Sequence, residues 1–209
     1  MRRFPRTLRG VLLLLGVSTL TAVAVACGGS PTSPAVLPTL AEMTADKTMG
    51  DAGAAHSVIV YSSFTCPHCA DFHLQTIAQL KSKYIDAGKV RLVFRDWERG
   101  FDLDIHAAML ARCAGDARYF DAVDTLFRNQ ASWAGSGEQA LANVMRQFGM
   151  SQQVIDACLA TTALHDAIVK SHNDAVSKWG VSGTPTSVVD DEHVIVGDVP
   201  LSGIEPYLK

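Results

Sequence analysis

The sequence predicts an α/β fold in which strands near both ends of one domain bracket a long helical block. Three observations carry that expectation. An apolar run, Ser57 to Tyr61, leads through Phe64-Thr65-Cys66-Pro67-His68-Cys69 into apolar residues at helical spacing. Between Phe101 and Gly180 strand signal is almost absent. Beyond that block, Thr184-Pro185-Thr186-Ser187-Val188-Val189 opens a second β-branched stretch.

Taken in order, the first 26 residues carry Arg2, Arg3, Arg6 and Arg9 as their only charges, then apolar runs from Val11 to Leu15 and Val17 to Ala26. That layout reads as a signal peptide over residues 1–26, with a retained membrane anchor as the competing reading. Ala24-Val25-Ala26-Cys27 resembles a bacterial lipobox, which makes Cys27 the expected lipidation site. Alanine stands where such boxes usually carry leucine, and ordinary cleaved secretion is the alternative. Gly28-Gly29-Ser30-Pro31-Thr32-Ser33-Pro34 has tether composition, so residues 27–47 are expected to be a flexible tether and 48–209 the domain. Removing the four arginines from the 18 basic residues leaves 14 against 21 acidic ones, a balance of −7. That excludes nucleic acid as an expected partner. Hydrophobic content of 48% against 19% charged is enough for a packed core.

Thr39 to Ala55 is weakly patterned, with room for one short strand or helical turn, and Gly50-Asp51-Ala52-Gly53 reads as a turn. Val58 to Tyr61, followed by Phe64, reads as a central buried strand. From Pro67, residues Phe72, Leu74, Ile77, Leu80 and Tyr84 predict a helix that Asp86-Ala87-Gly88 ends. Val90, Leu92 and Phe94 alternate with Arg91 and Arg95 in a strand with one apolar face. Helices follow at Ile105 to Ala111, at Tyr119 to Phe127, and, after Gly135-Ser136-Gly137, at Leu141 to Phe148. Ser151 reads as the N-cap of a helix over Val154 to Leu159. The last helix of the block carries Ile168, Val169, Ala175, Val176 and Trp179, and Gly180 closes it. Pro185 cannot donate to a sheet ladder, and a cis Thr184–Pro185 bond at the start of a strand accommodates it. Asp190-Asp191 predicts a hairpin turn before Val194 to Val196, and Ser202 to Leu208 a closing helix.

The chemistry is expected at Cys66 and Cys69. A helix N-terminus leaves backbone N–H groups unpaired and carries partial positive charge, and both favour a thiolate. Pro67 fits the first turn, where its missing N–H costs nothing. His68 supplies a donor or cation beside the sulfur. Cys66 reads as the attacking cysteine and Cys69, one turn later, as the resolving one. A structural disulfide or half of a zinc site is the competing reading. Of five cysteines, setting Cys27 aside leaves four, which allow three pairings. Adjacency favours Cys66–Cys69 and leaves Cys113–Cys158, with two separate buried thiols as the alternative. His73 could extend Cys66, His68 and Cys69 to a partial metal set, but no second ligand pair follows, so no metal is expected. His106, His165 and His172 read as surface or capping histidines. Trp97, Trp133 and Trp179 read as core or groove aromatics.

This order of strand, Cys-Pro-His-Cys, helix, strand, helical block, Gly-Thr-Pro-Thr, hairpin and helix resembles the thioredoxin fold in its DsbA-like form. The resemblance covers about residues 48–209, and the insertion at roughly 101–180 is what marks the DsbA-like branch. It implies a thiol–disulfide oxidoreductase whose only redox centre is the Cys66–Cys69 disulfide, with no added cofactor. By the resemblance Cys66 is an exposed nucleophile, Cys69 lies buried behind it, and His68 stabilises the Cys66 thiolate. Thr184 and Pro185 face the disulfide and present backbone groups to an extended client. Some relatives of this form carry a second, non-catalytic disulfide, the part expected for Cys113–Cys158. Many also carry a buried glutamate six residues before the first cysteine, where this chain has Val60.

The expected partners are unfolded or reduced exported proteins and a membrane redox partner that resets the site. The expected location is the periplasmic side of a bacterial membrane, lipid-anchored or else soluble. Dithiol oxidation is the favoured direction. A reductase of the same fold, or a non-catalytic metal- or client-binding lipoprotein, is the alternative.

Overall fold

In the computed structural model the described residues are 36–209. The expected signal peptide, Cys27 and the first part of the tether lie outside them. Five strands form one mixed sheet in the order β1-β3-β2-β4-β5: β1 Lys47–Met49, β2 His56–Ser62, β3 Val90–Asp96, β4 Thr186–Val189 and β5 His193–Val196. β2 is central, parallel to β3 and antiparallel to β4, while β1 and β5 run antiparallel on the two edges.

Alternation along β2 divides the packing. Val58 and Val60 face one cluster with Phe72, Ile77, Leu80 and Ile204, and Ile59 and Tyr61 face another with Val93, Val181 and Val188. This is the period-two pattern of a strand buried on both faces. Asp190 and Asp191 take positive φ (52° and 54°) in the β4–β5 hairpin, a conformation that short polar side chains tolerate.

The helix after β2, here α2, joins α-helical Pro67–Asp71, π-helical Phe72–Ile77, α-helical Ala78–Leu80 and π-helical Lys81–Ile85. The insertion between β3 and β4 holds six helices: α3 Asp102–Cys113, α4 Tyr119–Arg128, α5 Gln130–Trp133, α6 Glu138–Phe148, α7 Gln152–Leu159 and α8 Thr162–Trp179. Its own core includes Leu110, Leu126, Trp133, Leu141 and Met145, and it is continuous with Phe64, Cys66 and Cys69. The Cys66-Pro67-His68-Cys69 stretch therefore sits where the insertion meets the sheet. Trp133, fully buried, donates its indole N–H to the Leu126 carbonyl at 2.9 Å. Cys113 and Cys158 are joined by a disulfide that ties α3 to α7, with Cα atoms 6.1 Å apart.

Two expectations change. Residues assigned to the tether are folded: a short helix, α1 Leu40–Thr44, buries Met43, and Lys47 in β1 is buried too. The anchor is Arg112, which donates to Asp96 at 2.5 Å and to the Met43 and Ala45 carbonyls at 2.7 and 3.0 Å. The expected closing helix is instead two 3₁₀ turns, Leu201–Gly203 and Glu205–Tyr207. Pro206 has no N–H to give an α-helix there.

Candidate functional site

Cys66 is the N-cap of α2, and its carbonyl accepts the first helical bonds from the Cys69 and Ala70 N–H groups at 3.1 and 3.2 Å. Pro67 occupies the first helical position. Five hydrogen bonds fix the turn before the helix. The Ser63 carbonyl accepts from the Cys66 N–H at 3.3 Å. The buried Gln130 amide in α5 donates to both the Phe64 and Cys66 carbonyls, at 2.8 and 2.9 Å. Asp104 in α3 accepts from the Ser63 hydroxyl at 2.7 Å and the Thr65 N–H at 3.0 Å.

Cys66 and Cys69 are both thiols here, and their surroundings drive their ionisation apart. A hydrogen bond from the Cys69 thiol, with help from Thr184, the Cys69 backbone N–H and the charge of Arg99, lowers the Cys66 pKa to about 5 against the pull of burial. Burial pushes the Cys69 thiol the other way, well above the ordinary range, and its bond to Cys66 adds to that. The Ser63 N–H donates to the Cys69 sulfur at 3.5 Å. A nucleophile poised as a thiolate beside a thiol kept protonated is an arrangement suited to thiol–disulfide exchange.

Cys66 is less open than the resemblance implied: only 5% of its surface is accessible, against 1% for Cys69. Its accessible edge faces a groove of about 590 Å³ lined by His68, Trp97, Arg99, His172 and Thr184 among others. Thr184–Pro185 is cis, and the Thr184 carbonyl accepts from the Cys66 thiol at 3.4 Å. The structure thus brings Thr184 and Pro185 to Cys66-Pro67-His68-Cys69, more than a hundred residues away in the chain. His68 is exposed on the groove wall. Val60, at the position of the family glutamate, is buried among apolar side chains.

His73 departs from any metal set, because it is buried between Phe94 and Phe127 with Nε2 against Asp124 at 2.6 Å. Among the described residues, the side chains able to share an ion are His68, Asp71 and Asp198, all exposed, and neither cysteine joins them. His172 is not a simple surface residue: it stacks on Trp97 at 4.3 Å and holds the Glu98 carbonyl at 2.8 Å. His106 is half-buried and pairs with Glu138, while His165 is exposed beside Asp166. Trp179 packs with Trp97 against the Tyr61 cluster.

A family model described as thioredoxin matches residues 42–204. The chain belongs to the thioredoxin family. Among thioredoxin-family structures, alpha-DsbA1 of Wolbachia pipientis superposes with a TM-score of 0.71 at 28% identity, covering 83% of this chain and 92% of that one. A protein-disulfide isomerase from Novosphingobium aromaticivorans gives 0.68 at 26% identity, covering 78% and 95%. These neighbours make the chain DsbA-like, with its thioredoxin fold and helical insertion. A Rickettsia bellii protein that carries the provisional name protein-disulfide oxidoreductase is 29% identical over 148 residues, 69% of this chain and 57% of that protein. The chain spans a little over half the length of the curated relatives it matches first. The family match begins near α1, in agreement with a folded segment ahead of residue 48.

Sequence reasoning passed over Asp104, Gln130 and Arg99. Asp104 reads as an ordinary first-turn acid and Gln130 as a polar residue in a helical block. Their roles depend on contacts made across the fold.

Proposed function

We propose that this chain is a thiol–disulfide oxidoreductase that donates the Cys66–Cys69 disulfide to exported proteins. The observation that supports it best is the split ionisation of the two thiols beside an open groove. A client thiolate attacks Cys66 Sγ, the Cys66–Cys69 bond breaks, and the Cys69 sulfur leaves and takes up a proton in its buried site. A second client thiolate then attacks the client sulfur of the mixed disulfide and expels Cys66 as a thiolate. The client has lost two electrons and the Cys66–Cys69 pair has gained them. A low-pKa sulfur is the better leaving group, which favours this direction over client reduction.

In this reading Thr184 and Pro185 present backbone groups to an extended client, and His68 adds a donor on the groove wall. The Cys113–Cys158 bond is structural. A membrane partner reoxidises the site, and the sequence of 1–26 with Cys27 supports a lipid-anchored enzyme on the periplasmic side. The test is oxidation of a reduced multi-thiol protein in a glutathione buffer. Wild type accelerates it, Cys66→Ser does not, and Cys69→Ser accumulates a client adduct at Cys66. Equal rates for wild type and Cys66→Ser reject the proposal.

A further inference from the structure

Asp104 is 2% exposed, and both its oxygens are occupied by groups outside its own helix. Oδ1 accepts from the Thr65 N–H, and Oδ2 from the Ser63 hydroxyl and, at 3.0 Å, the Arg99 N–H. An acid that only complements a helix dipole can do so from the surface, as the exposed Asp102 does two residues earlier. Burial instead raises the Asp104 carboxyl above its ordinary range in spite of these donors, an energetic cost that calls for a compensating contact.

What the carboxylate joins is specific. Ser63 to Thr65 is the turn immediately before Cys66, and Ser63 is also the residue whose N–H reaches the Cys69 sulfur. Arg99 lies on the loop between β3 and α3, lines the groove with Cys66, and sets its guanidinium 6.0 Å from the Phe101 ring. The titratable groups around Cys66 are Cys69 and His68 from α2 and Glu98, Arg99 and His172 from the other walls. Glu98 is engaged by His172 at 3.3 Å and by the Gly100 N–H. Arg99 alone in this set carries a permanent positive charge. Its side chain is exposed and Gly100 follows it, and Asp104 holds its backbone N–H from α3.

We propose that Asp104 is a positioning residue of the exchange site: it fastens the Arg99 loop to the Cys66 turn and so keeps the guanidinium where it favours the attacking thiolate. This rests on Cys66 being the nucleophile. The asparagine variant keeps the shape but puts an amide, a donor, in place of one accepting oxygen. If the amide replaces Oδ2, the Arg99 N–H loses its acceptor.

The test follows the alkylation rate of Cys66 against pH, with the modified peptide identified by mass, in full-length wild type, Asp104→Asn, Arg99→Gln and the double variant. Each single variant should raise the Cys66 midpoint by less than about one unit, since Arg99 ranks behind Cys69, Thr184 and the Cys69 backbone N–H among the groups that lower it. The double variant should go no higher than Arg99→Gln alone. An unchanged midpoint in Arg99→Gln overturns the proposal, and because that residue is exposed this arm decides even if Asp104→Asn fails to fold. A midpoint lowered by Asp104→Asn, or moved equally with and without Arg99, also overturns it, since either means a direct charge effect. A wild-type midpoint in the ordinary thiol range would instead reject the exchange-site reading itself.

Discussion

Lowering the pH from 7 to 4.5 should remove a definite share of the reduced protein's stability. Cys66 titrates at about 5 in the folded chain against an ordinary value of 9.0. Its folded pKa is depressed, so its contribution is complete above the unfolded value and is lost as pH falls through the folded one. At pH 7 the group stands two units above its folded midpoint and two below its unfolded one. At 1.36 kcal/mol per unit, the stabilisation there is at most about 2.7 kcal/mol. Water in the groove screens part of it, leaving about 1–2 kcal/mol. At pH 4.5 no more than about 0.2 kcal/mol survives. Cys69, raised by burial, is protonated in both states across this window and adds no slope. The assay is urea unfolding of the fully reduced chain at both pH values, with Cys66→Ser as reference. Packing lost with the sulfur is the same at each pH, so the gap between the two proteins isolates the ionisation. That gap should shrink by about 1–2 kcal/mol on acidification. A gap that stays constant refutes the depressed pKa.

Three further outcomes follow from the packing. Arg112→Met should cost about 3–5 kcal/mol in urea unfolding, because it leaves Asp96 buried without its cation and frees the end of α1. Gln130→Ala should cost about 1–3 kcal/mol by stripping the Phe64 and Cys66 carbonyls of a buried donor, and should speed alkylation of Cys69 as the turn loosens. Replacing Cys113 and Cys158 together by serine opens a 45-residue link. It should cost about 4 kcal/mol in the chain-entropy estimate while leaving client oxidation intact below the lowered melting temperature.

Elements whose signal lies inside one segment were legible. The apolar run of β2, the alternation in β3, the helical spacing after Pro67 and the strand-poor block each follow from local pattern. The pairing of the cysteine motif with the remote Thr184–Pro185 came from the resemblance to the DsbA-like form, while proline itself indicated only where a strand could start. The misses are of two physical kinds. α1 and β1 are five and three residues long, too short for a periodic pattern; Arg112 holds the end of α1, and pairing with β3 holds β1. The supporting shell of the site is the second kind. Asp104 meets Ser63 and Thr65 from about forty residues away, and Gln130 meets Cys66 from over sixty. His172, read as a surface or capping residue, reaches the groove only because α8 returns to lie beside Trp97.

The reduction potential of the Cys66–Cys69 pair tests the central claim most directly, by equilibrating the full-length chain in graded glutathione buffers. Each 30 mV corresponds to about 1.4 kcal/mol, so the two directions of exchange separate clearly. A thiolate stabilised as this site stabilises it predicts a value above about −160 mV, that of a disulfide donor. A value below about −230 mV would contradict the account and mark the pair as a reductant instead.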